Sequence, residues 1–195
     1  MVATAPQSIL SVAVTIALGC LWFSRAVSAG GAFGSNRARH WAISGRMMSP
    51  EQASDLEQRL AVDPHDVEAR TKLLGYYFVR EDAFEAARVR RREHVLWLIA
   101  NQPGGDAVRL SFAALTRERD GEAHAQSLAL WRACAEGPCE DLGVLENAAA
   151  ALVLDDPELA TRLIEGGAAR EPRNLAWSRP LARARAAIEG RETSH

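Results

Sequence analysis

Five histidines (His40, His65, His94, His124 and His195) and three cysteines (Cys20, Cys134 and Cys139) are the side chains best suited to bind a metal or attack an electrophile. No two histidines form His-Glu-x-x-His, and none has a second histidine or a cysteine three or four residues away on a helix, the spacing a helical zinc site uses. Cys134, Cys139 and His124 offer three ligands, but a structural zinc site wants four at tight spacing and no fourth follows. The two cysteines, five apart near a helix end, suit either a small disulfide in an oxidising compartment or two thiols, with Cys134 buried on the helix of Trp131.

The nucleophile and nucleotide signatures are missing too: there is no Gly-x-Ser-x-Gly, no Walker loop and no Gly-x-Gly-x-x-Gly. His94 follows Arg91, Arg92 and Glu93 and reads as a solvent-facing histidine, not a general base. The paired carboxylates Asp155-Asp156 precede Pro157, which marks them as a helix cap. The sequence nominates no catalytic residue, cofactor or metal ligand, and the expectation is a protein that is not an enzyme.

Charge narrows the partners. With 23 basic and 25 acidic residues the net charge is −2, which provides no footprint for nucleic acid. The dense basic run Arg88, Arg90, Arg91 and Arg92 is flanked by Glu81, Asp82, Glu85 and Glu93, the pattern of a solvated helix face.

The elements that would position any site begin well inside the chain. Met1 to Ser24 has no charged side chain, and Ile9–Phe23 is a mostly apolar stretch of fifteen residues. That is short of the ~20 residues of a membrane span but suits the apolar region of a secretory signal. Val27-Ser28-Ala29 supplies the small residues a signal peptidase needs. Residues 1–29 are therefore read as a cleaved signal peptide. A retained membrane anchor stays open because Arg25, Arg37, Arg39 and Arg46 all lie downstream, and so does a true start near Met47. Residues 30–48, opening Gly30-Gly31-Ala32, read as a flexible linker. Trp41 within it is a residue that could touch a membrane surface or partner. The membrane enters only through this N-terminal segment, and the product is expected to be exported (periplasmic or extracellular) or membrane-anchored.

From residue 49 to 190 the sequence predicts one all-α domain. Ser49-Pro50-Glu51-Gln52 is a capping box with proline at the first helical position. Asp66 caps a helix to about Arg80 that stripes Val67, Leu74 and Phe78. A helix over 82–101 follows, apolar on all sides from Val95 to Ala100, hence central. Further helices are predicted over 106–119, 121–136, 141–154, 157–170 and 174–189, with connections short enough to force antiparallel packing.

Pro138 and Pro172 lie 34 residues apart, the period of the tetratricopeptide repeat. Counting back from Pro172 puts Ala148, Ala160 and Ile164 at that family's small and large positions. Counting back from Pro138 does the same for Ala114, Leu130 and Ala133. Leu74-Gly75-Tyr76-Tyr77-Phe78, then Ala87, resembles a third unit. Val144, Leu110 and Asn147 depart from the family's tryptophan and leucine. Over about residues 64–188 the chain thus resembles the tetratricopeptide-repeat (TPR) family. The resemblance implies an antiparallel helix-pair solenoid of about three pairs plus flanking helices. It also implies a concave groove, lined here by Lys72 and Tyr76, that grips a protein or peptide. The functional expectation is a non-catalytic protein–protein interaction scaffold. The alternative is a small-ligand or sensory helical module with a pocket near Trp97 and Trp131.

Overall fold

The computed structural model describes residues 33–137, 139–172 and 177–192. The segment read as a signal or anchor, with Cys20, lies outside the described residues, as do the start of the expected linker, Pro138 and His195. Among the described residues every regular element is helical and there is no strand. The order is α1 (Phe33–Arg46), α2 (Pro50–Val62), α3 (Val67–Phe78), α4 (Glu85–Asn101), two 3₁₀ turns (Asp106–Arg109 and Ser111–Ala113), α5 (Arg117–Glu136), α6 (Leu142–Leu152), α7 (Pro157–Arg170) and α8 (Ser178–Glu192).

Helix starts follow local chemistry. At α2 the reciprocal box is present: Gln52 N–H donates to Ser49 Oγ at 3.3 Å, and Ser49 N–H to Gln52 Oε1 at 2.9 Å. The carboxylates of Asp66, Asp141 and Asp156 accept from the first turns of α3, α6 and α7. Each such cap is worth about 1 kcal/mol.

Each helix from α2 to α8 packs on the next in sequence. The main core collects Leu74, Val95, Leu98, Trp131, Leu152 and Ile164, among others, from α3 to α7. Each fully buried side chain of this size contributes about 1.5–3 kcal/mol. A smaller cluster around Leu60, Leu73 and Tyr76 joins α2 to α3. The expected all-round burial of α4 is partial: Val95, Leu98 and Ile99 are buried, Leu96 and Trp97 half-buried, and Ala100 exposed.

Two expectations from the sequence are corrected. Residues 33–46, placed in a flexible linker spanning 30–48, form helix α1, which packs most extensively on α3. Ala38, Ala42 and Gly45 make a buried stripe of small residues that allows the two backbones to touch. A Cβ on Gly45 would lie 1.8 Å from the Lys72 carbonyl oxygen, and one on Gly75 1.8 Å from that of Ala42. Position rises along α1 as it falls along α3, so the two helices run antiparallel. The stripe is too poor in large apolar residues to announce itself by hydropathy.

The second correction is the helix expected over 106–119. Its first half is two 3₁₀ turns instead. Arg91 of α4 reaches into this segment and donates to the carbonyls of Phe112 (3.2 Å) and Ala114 (2.9 Å), which removes them from an α-helical ladder. Thr116 then caps α5, whose N-terminal turn continues past Gly121 through a kink at φ 45°, a backbone region that favours glycine.

Candidate functional site

The most developed polar site lies where α2, α3 and α4 meet. Arg70, on the inner side of α3, is buried. Its guanidinium lies 3.7 Å above the Trp97 ring, and Nε and Nη2 donate to the Pro64 carbonyl at 3.0 and 2.9 Å. Nη1 reaches His94 Nδ1 at 3.2 Å. His94 stacks on Tyr77, ring centres 5.8 Å apart, and its Nε2 meets Glu57 Oε1 of α2 at 3.1 Å. The Tyr77 hydroxyl donates to the same oxygen at 2.6 Å. Four residues from three helices thus form a continuous chain, Arg70–His94–Glu57–Tyr77.

Its protonation pattern follows from donor chemistry. A guanidinium can only donate, so in that contact Nδ1 is the acceptor and the Nε2–H donates to Glu57. Partial burial works against the charged form of Glu57. Hydrogen bonds from His94 and Tyr77, with positive charge nearby, outweigh it and bring the carboxyl down to about 2. Burial, reinforced by the Glu57 carboxylate, pushes the Tyr77 phenol up, so it stays a donor. Burial lowers the pKa of Arg70, opposed by Glu57 and Asp66.

Glu57, Arg70 and His94 floor an open groove of about 500 Å³ whose walls add Ser54, Gln58, Arg90 and Glu93. Arg90 pairs with Glu93 at 2.9 Å on the rim. The groove offers a fixed carboxylate, two guanidinium groups and amide and hydroxyl side chains. It offers no free base, because both nitrogens of His94 are engaged. A second open groove of about 540 Å³ lies between α4 and α5, lined by Val89, Leu96 and Gln126 among others.

Below the second groove is a buried ion network. Arg91 Nε meets Glu81 at 2.5 Å and its Nη2 meets Asp120 at 3.2 Å, with all three side chains at most 2% exposed. Arg92 reaches the same Asp120 oxygen at 2.9 Å, and Arg119 reaches Glu81 at 3.0 Å. Burial disfavours the Asp120 carboxylate, but the Thr116 N–H and the arginines outweigh it and lower its pKa. The basic run expected to be a solvated face is therefore split: Arg90 is exposed, whereas Arg91 is inside the protein.

The other residues that the sequence singles out fall elsewhere. Tyr76 is buried at 8% exposure under the Arg80 guanidinium, 3.8 Å from its ring. Lys72 is half-buried and pairs with Glu68 at 2.7 Å. Helix α1 packs on α3 beside them, its Gly45 against the Lys72 carbonyl. No disulfide links Cys134 and Cys139. The Cys139 thiol lies 3.6 Å from the Asp141 carbonyl, and burial pushes its pKa up. Trp131 is in the main core, while Trp97 is half-buried under Arg70, and neither lines the two grooves. His124 lies 3.6 Å from Asp155. Among the described residues no group of three or more His, Cys, Asp or Glu is placed to hold a metal.

Sequence reasoning passes over the residues of the chain Arg70–His94–Glu57–Tyr77 and expects His94 in solvent. A signal exists: Ala87, Arg91, His94, Val95 and Leu98 share one stripe at i, i+3, i+4 spacing, so Arg91 and His94 occupy core positions of α4. The partners of His94, 24 and 37 residues away, leave no local mark.

Comparison with family models, with characterised proteins and with solved structures finds no match. Among the described residues no helix is long and apolar enough to cross a membrane.

Proposed function

We propose that this protein is a non-catalytic protein–protein interaction scaffold that holds a peptide or protein partner in the groove between α2 and α4. One observation carries the reading: Glu57 is fixed by Tyr77 and His94 as a hydrogen-bond acceptor, ionised at neutral pH, on the floor of an open groove. Preorganised polar groups on rigid helices give a partner orientation without ordering cost. The engagement of both His94 nitrogens argues against acid–base catalysis.

In this reading the helix pairs α3/α4 and α6/α7 are units of a TPR-like array, and α1 closes the face such arrays leave open. The grip then moves from Lys72 and Tyr76 to the neighbouring α2–α4 groove. Residues 1–29 deliver the domain for export or tether it to a membrane.

A photo-crosslinking side chain at Gln58, with a control at Arg162 on α7, tests the proposal in the native host. One recurrent partner is expected from Gln58, lost with Glu57→Ala and absent from Arg162. Equal capture from both positions, or capture that ignores Glu57→Ala, overturns it.

A further inference from the structure

The charge of this chain is segregated in sequence. All 25 acidic residues lie at or beyond Glu51. The first 50 residues carry four arginines and no acid, and the remainder carries 19 basic against 25 acidic residues, a net of −6. Three of the four arginines, Arg37, Arg39 and Arg46, sit exposed on α1. Among the described residues none of them makes an ion pair, whereas the arginines of α4 are tied to Glu81, Glu85, Glu93 and Asp120.

The face carrying them also exposes two large apolar side chains. Opposite the Ala38–Ala42–Gly45 stripe that meets α3, Ile43 is 44% exposed and Met47, just past the helix, 85% exposed. Helical spacing puts Arg39 and Arg46 on one flank of this pair. Arg37 lies on the other, its guanidinium 5.2 Å from the Trp41 ring. Two exposed apolar side chains flanked by three arginines, with the polar Asn36 and His40 beside them, suit a helix lying in a headgroup layer. The rest of the chain, at −6, is on balance repelled by the same surface; α8 is also basic, with Arg179, Arg183, Arg185 and Arg191 against Glu189 and Glu192, but among the described residues it exposes no large apolar side chain as α1 does.

We propose that the outer face of α1 docks on an anionic lipid surface, the arginines on headgroup phosphates and Ile43 and Met47 among the upper acyl carbons. This deepens the tethering half of the proposed function and rests on it. It does not depend on what fills the groove, which the crosslink from Gln58 reads separately.

The test is co-sedimentation of the full chain with phosphatidylcholine vesicles, with and without phosphatidylglycerol. Residues 1–29 contribute to binding on both, so the readout is the ratio of the two partition constants. The ratio should favour the anionic vesicles and fall as salt rises. Arg37→Gln with Arg39→Gln and Arg46→Gln should cut it about a hundredfold, about fivefold per arginine. A control with the same charge change on exposed arginines elsewhere (Arg162, Arg183 and Arg185 to Gln) should leave it near wild type. Ile43→Ser with Met47→Ser should weaken binding to both vesicles. A wild-type ratio near one, an equal loss in the control triple, or tighter binding to duplex DNA than to anionic vesicles would each overturn the proposal.

Discussion

Arg70 and His94 face each other across 3.2 Å, guanidinium Nη1 to imidazole Nδ1. Because the arginine cannot accept, this contact fixes which imidazole nitrogen carries the proton, and thereby turns the Nε2–H toward Glu57. Replacing His94 with Leu removes both links, leaving Arg70 only its Pro64 carbonyl and Trp97 contacts and Glu57 only the Tyr77 hydroxyl in a part-buried site. Urea unfolding should show a loss of about 2–4 kcal/mol. Loss of under about 0.5 kcal/mol would show that the chain contributes little to the fold.

Glu57 makes stability depend on acid pH. Its folded pKa, about 2, lies below the ordinary 4.5, so its contribution is fully present above pH 4.5 and is lost as pH falls from there toward 2. With its side chain 29% exposed, screening brings that contribution to about 1–2 kcal/mol. The stability gap between wild type and Glu57→Gln should be of that size at pH 7 and should narrow steadily below pH 4.5. A gap independent of pH would contradict the assignment.

The buried ions between α4 and α5 predict an asymmetry. Arg91→Met leaves Glu81 only Arg119 and Asp120 only Arg92 as cationic partners and should cost about 3 kcal/mol, the low end for a broken buried pair. Making Glu81→Leu and Asp120→Leu in the same chain should recover part of that loss, since an apolar set avoids desolvating charge. Denaturant midpoints of the single and triple variants decide it.

The α1–α3 crossing predicts a local failure. Gly75→Ala puts a methyl against the Ala42 backbone, where no side-chain rotation can relieve it. The expected cost is about 2–3 kcal/mol, concentrated in α1. Hydrogen exchange should show the amides of α1 losing protection while those of α4 and α7 keep theirs. Uniform loss throughout would mean that α1 is cooperative with the whole domain.

At the kink of α5, Gly121 has a positive φ but open space around its missing Cβ. Gly121→Ala should therefore meet only backbone strain, about 1–3 kcal/mol for a conformation outside the left-handed helical region, and lower the melting temperature by several degrees. A larger effect would point to a contact made through the kink.

The helical class and most helix starts were legible in the sequence because they depend on neighbours: Ser49 with Gln52, Asp66 with Ala69, Asp156 with Pro157 and Leu159 sit within one turn of each other. The apolar stripes of α3 and α7 are equally local, a matter of 3.6-residue spacing. The stripe of α4 was legible too, but its two polar members, Arg91 and His94, were assigned to solvent because polarity outweighed position.

What only the tertiary structure decided involves partners distant in the chain. Whether Arg91 is buried depends on Glu81 and Asp120, and whether 106–119 coils into an α-helix depends on that arginine claiming two of its carbonyls. Whether residues 33–46 form a helix depends on a glycine at position 75. Capping and periodicity are short-range and written into adjacent residues. Desolvated ion pairs and backbone-to-backbone contact take their energy from groups that only folding brings together.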